Sequence, residues 1–144
     1  MAKQLFDPSS IPRFSVIRIP YTFDGSRTEK RFVVLCHRAG NAICIKATSK
    51  VTVYKNNPNM MRGCICYAAG TFKCFPLETV VQPDNQVPIP HSDIAKAHNA
   101  GQLEVHPTLP KFEQELRRAI GDSATLDERR RERLLAMLSG PLNI

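Results

Sequence analysis

The chain has 144 residues, with 20 lysines and arginines against 13 acidic residues and a net charge of +7. That length suits one domain with a single core. Without a run of about 18 apolar residues it holds no membrane-spanning helix, and the opening residues 1–14 lack the apolar stretch of a secretory leader, so a cytoplasmic location is expected. The positive charge is unevenly placed: residues 14–90 hold ten basic and four acidic residues, while 91–144 hold eight of each. A polyanion would be drawn to the first two thirds of the chain.

Taken in order, residues 14–19 read as a strand stopped by Pro20, which cannot donate to a ladder. Arg31–Cys36 is a continuous apolar run of strand length, and Ala42–Ser49 sets Ile43, Ile45 and Ala47 against Cys44, Lys46 and Thr48. Gly40 and Asn41 between them predict a tight hairpin. Val51–Lys55 continues the strand or starts another, Asn56–Asn59 reads as a loop, and Cys64–Ala68 and Thr71–Val81 supply two more strands. The proline-rich 82–90 reads as a surface connector.

Helices follow. Ser92 is a candidate cap for one running through His98, with Gly101 past its end, and Leu103–Val105 is a candidate edge strand. Pro110 opens a second helix with Phe112, Leu116, Ala119 and Ile120 on one face and Gly121 as its stop. Thr125 and Glu128 form a capping box for a third, which carries Leu134, Leu135 and Leu138. The fold expected is therefore mainly β with C-terminal helices, a small bent antiparallel barrel over 1–90 and a helical extension over 91–144 packed on the same domain.

The usual catalytic types offer little. Cys36, Cys44, Cys64, Cys66 and Cys74 are odd in number and lie in apolar runs, which predicts reduced, buried thiols; Cys64, Cys66 and Cys74 lack zinc-ligand spacing, so no metal or cofactor is expected. The four histidines stand outside any catalytic motif and read as polar surface residues. Arg129–Arg133 is interleaved with Asp127, Glu128 and Glu132, as on a solvated helix face held by charge pairs.

The stretch Ile45–Lys50 stands apart, because it sets the hydroxyls Thr48 and Ser49 between Lys46 and Lys50. In a hairpin centred on Gly40, Arg31 and Thr48 fall at matching strand ends. A guanidinium and a hydroxyl aimed at one point make a phosphate site, and the same pair could carry the charge of a pentacoordinate phosphorane. Arg27, Lys30, Lys46 and Lys50 would track the rest of a nucleic-acid backbone.

The order of a strand, a polar loop over Asp24–Lys30, a basic residue opening the "FVVL" strand, a hairpin and a strand ending in Thr-Ser resembles the MazF/PemK endoribonuclease toxins over residues 14–83. Arg31-Phe32 stands where that family carries Arg-Pro. The resemblance implies an SH3-like barrel, a homodimer, an antitoxin protein as partner, and cleavage of single-stranded RNA without a metal to a 2′,3′-cyclic phosphate. It implies that Arg31, Thr48 and Ser49 are catalytic and that Asp24–Lys30 gates the RNA. The alternatives are a non-catalytic barrel that binds RNA or a protein partner, and a structural protein that pairs through a strand edge or its last helix.

Overall fold

The computed structural model describes residues 6–23 and 26–144, the side chains of 21–23, 26–28 and 85 excepted. Among the described residues six strands form one antiparallel sheet: β1 (Val16–Phe23), β2 (Ser26–Arg38), β3 (Asn41–Thr48), β4 (Ile65–Tyr67), β5 (Thr79–Pro90) and β6 (Glu104–His106), in the order β4-β5-β3-β2-β1-β6. The sheet curls into a half-barrel. Its helices are α1 (Thr52–Lys55), α2 (Pro58–Arg62), α3 (His91–Asn99), α4 (Phe112–Asp122) and α5 (Glu128–Ser139), with a 3-10 turn at Pro8–Ser10.

The unbroken apolar run of β2 has a simple cause. Val33 and Leu35 enter a core shared with Phe112, Leu116 and Ile120 of α4 and Leu134 and Leu138 of α5. Phe32 and Val34 enter a second core on the other face, with Ile11 beside the 3-10 turn and Ile94 and Ala97 of α3. A strand covered on both faces needs apolar residues at every position.

Several expected boundaries move. β1 passes through Pro20 as far as Phe23, and the backbone of Ser26–Lys30, expected as loop, continues the β1–β2 ladder, with Phe23 facing Ser26. Asp24 and Gly25 of that expected loop lie outside the described residues. The chain after Thr48 turns into α1 instead of extending as a strand, because the Thr48 hydroxyl accepts the Lys50 N–H at 3.1 Å and ends the ladder. Asn57 caps α2 through its side-chain oxygen, with Pro58 at the first helical position, so the expected loop at Asn56–Asn59 starts a helix.

The largest shift concerns 82–90, which is strand, not connector: β5 runs Thr79–Pro90, and most of Thr71–Glu78, expected as strand, is turn and bend. β4 covers β5 only at Thr79–Val81, so beyond Val81 the segment is a sheet edge, where proline breaks no ladder. α3 begins at His91, one residue before the expected cap, and Gly101 follows it with φ of 69°. The edge strand appears as β6 against β1. α4 starts at Phe112 with its expected face buried and runs through Gly121. The cap of α5 is Asp127, which accepts the Arg130 N–H, in place of Thr125.

Arg13 locks the C-terminal helix to the sheet. Its guanidinium donates to the carbonyls of Leu35 at 2.8 Å, Leu138 at 2.9 Å and Gly140 at 2.8 Å. Beyond α5, Leu142 O accepts the His37 N–H and Ile144 N donates to His37 O, so the last residues line up beside β2. Arg13→Ala orphans three half-buried carbonyls, and about 3 kcal/mol of stability is expected to go with it, read as a lower denaturant midpoint at unchanged slope. Arg13→Lys should restore only part, since the three donors of a compact ammonium do not span the separate carbonyls that the three guanidinium nitrogens reach.

Candidate functional site

The site depends on the register of the β2–β3 hairpin. Ala39 and Gly40 form its two-residue turn with φ of 50° and 78°, the left-handed pair that matches strand twist. From that turn Arg38 faces Asn41, His37 faces Ala42 and Cys36 faces Ile43. Continued without interruption, this register would set Arg31 opposite Thr48, as the sequence reading has it. The ladder is broken instead between Val34 and Cys36, where Leu35 is an extra residue, and Arg31 pairs with Ala47.

A shift of one residue reverses faces. Arg31 stands on the face of Val33, Ile45 and Ala47, and Thr48 on the face of Cys44 and Lys46. The expected meeting of guanidinium and hydroxyl directly across the hairpin is thus corrected by a single bulge.

The strand ends nevertheless close around one small cavity of about 60 Å³, lined by Glu29, Lys30, Arg31, Lys46, Thr48 and Ser49, with Ala47 and Lys50 completing its wall. It gathers every predicted site residue except Arg27, whose backbone pairs with Thr22 and whose side chain lies outside the described residues. Burial, and then the neighbouring charges of Lys46 and Lys50, hold the Lys30 ammonium below the usual lysine range. Like charges held this close favour an anion between them.

The one carboxylate in the wall among the described residues is already engaged, since Glu29 pairs with Arg18 of β1, whose guanidinium also holds Glu104 of β6 at 2.5 Å. Arg31 lies across the ladder from Arg18, and its Nε is buried with no hydrogen-bond partner among the described residues. Thr48 is half-buried and keeps its hydroxyl proton after accepting from Lys50, while Ser49 and Lys50 are exposed. The arrangement can bind an oxyanion through Lys30, Arg31 and Lys50 with the hydroxyls of Thr48 and Ser49.

No three His, Cys, Asp or Glu among the described residues are grouped to hold a metal. All five cysteines are free and four are buried, Cys66 being the exposed one; burial pushes the Cys64 thiol up to about 12. His37, expected at the surface, is 2% exposed. Its Nε2 lies 2.9 Å from Ile11 O and its Nδ1 2.8 Å from His91 Nε2. Only one proton fits between the two rings.

Burial and the neighbouring His37 hold the His91 pKa below the ordinary histidine value. The unfolded chain therefore takes up that proton first, and stability is expected to fall as pH drops below about 6.5, levelling once His91 itself protonates. Denaturation midpoints from pH 8 to 5 check this, and His91→Gln should flatten the slope.

Comparison with family models, curated proteins and solved structures gives no match to this chain. Among the described residues no helix is long and apolar enough to cross a membrane.

Proposed function

We propose that this protein binds single-stranded RNA by seating a backbone phosphate in the strand-end cavity, on a curled barrel of the SH3-like, MazF/PemK kind. One observation carries the reading: Lys30, Arg31, Lys46 and Lys50 line a cavity of about 60 Å³ in which the one carboxylate among the described residues is paired outward to Arg18. Its wall of cations and hydroxyls, with no aromatic ring among the described lining residues, suits a phosphate group better than a base. Contacts of that kind position a nucleic acid without reading its sequence. The test is retention of a mixed-sequence single-stranded RNA over a salt series, where a straight fall of log affinity with log salt is expected. Retention that salt does not change would count against the reading.

A second reading, cleavage, is favoured by the unpartnered Nε of Arg31 at the same cavity as Ser49. Here the RNA 2′-hydroxyl attacks the adjacent phosphorus, the bond to the 5′-oxygen breaks, and a 2′,3′-cyclic phosphate and a 5′-hydroxyl result. Arg31 would bear the phosphorane charge, with Ser49 or Thr48 orienting the phosphate. A second copy and an antitoxin protein are then the partners. Incubation of RNA in EDTA separates the readings: cutting by wild type that is lost in Arg31→Ala and Thr48→Ala supports cleavage, and intact RNA that still binds supports binding alone.

A further inference from the structure

A cavity of about 830 Å³ lies away from the lysines, between α5, the far end of the β2–β3 hairpin and the outer part of β5. Arg38 from β2 and Arg130 and Arg133 from α5 line it, together with an apolar wall that includes Leu134, Met137 and Ile144. On α5 the positions 130, 133, 134 and 137 share one helical face, so the basic and apolar residues form a continuous stripe.

The arginines of α5 divide sharply. Arg131 is spent on structure: it donates to the carbonyls of Ile120 at 3.0 Å, Ser123 at 3.1 Å and Leu126 at 3.3 Å and pairs with Glu128. The side chains of Arg38, Arg130 and Arg133 have no hydrogen bond or ion pair among the described residues, and all three residues are exposed. The cavity's carboxylate, Asp84, accepts the Thr125 hydroxyl at 2.5 Å.

We infer that this cavity is a second binding site, for a small amphiphilic anion: an aliphatic chain bearing a phosphate or carboxylate. The volume lies within the range of small-molecule sites. Three unpaired guanidinium forks match an oxyanion. The apolar wall suits a hydrocarbon chain, and among the described residues the lining contains no aromatic ring on which a base could stack. The inference is independent of the RNA reading, since the two sites share no residue.

Calorimetric titration of the whole chain with monomeric decyl phosphate tests it, with decanol and inorganic phosphate as the two half-probes. Saturable one-to-one binding is expected, with each half-probe at least about tenfold weaker and Arg38→Gln and Arg133→Gln each weaker by about tenfold. Ala136→Glu, which sets a negative charge in the same exposed wall, should weaken it further, and Lys30→Ala/Lys50→Ala should leave it unchanged; unaltered circular dichroism confirms that the variants fold. Equal binding of decanol would overturn the inference, as would loss in the lysine variant in place of the arginine ones. Binding to anionic vesicles with none to the monomeric probe would also overturn it, assigning the arginines to a lipid surface.

Discussion

Phe112→Ala is expected to cost about 4 kcal/mol, among the largest losses for one truncation in this molecule. The ring is fully buried, its centroid 5.4 Å from that of Phe14, in a core built from β1, β2 and β3 on one side and α4 and α5 on the other. Neither partner can move in to fill the space, because Arg13 ties the end of α5 to β2 and Arg131 ties the start of α5 to the end of α4. Urea denaturation should show one transition, moved to lower midpoint at unchanged slope. Two transitions, or a small loss, would mean that residues 91–144 are an appendage that folds apart from the sheet.

The double variant Lys30→Ala/Lys50→Ala is expected to weaken RNA binding about 30-fold at low salt, equivalent to roughly 2 kcal/mol, or about 1 kcal/mol per lost phosphate contact. Both lysines line the cavity of one phosphate, so the variant's salt slope should fall by at most roughly 0.7 on the single-strand scale. Stability should change little. Lys50 is exposed and Lys30 is a half-buried cation crowded by Lys46 and Lys50, so removing it relieves repulsion. An unchanged slope would place the RNA contact elsewhere.

What the sequence showed, and what it hid, follows from which residues have a readable period. The α4 face was legible from Phe112, Leu116, Ala119 and Ile120, whose spacing repeats with the helix and which are all buried. The clustering of Lys30, Arg31, Lys46, Thr48, Ser49 and Lys50 was legible because a hairpin brings its strand ends together whatever its exact register. The register itself was not. Residues 32–36 are apolar at every position because both faces are covered, so the alternation that would expose an extra residue at Leu35 is absent.

Two other features escaped for related reasons. Pro83, Pro88 and Pro90 argue against a strand unless it is known that β5 has an open edge beyond Val81, which is a tertiary fact. His37 read as a polar surface residue, since nothing local indicates that His91, 54 residues away, and the carbonyl of Ile11 will satisfy both ring nitrogens. The arginine run of α5 was read as one solvated cluster, whereas its helical period separates Arg131, which closes α4, from Arg130 and Arg133 in the large cavity.

The central claim is that an RNA phosphate sits at the strand ends of the β2–β3 hairpin. Its most direct test is a map of backbone amide shifts in the isotope-labelled protein on adding a short single-stranded RNA. The account predicts changes concentrated at Glu29–Arg31 and Lys46–Lys50, with the amides of Arg38, Arg130 and Arg133 unmoved. Shifts confined to the arginine cavity, or none at saturating RNA and low salt, would contradict it.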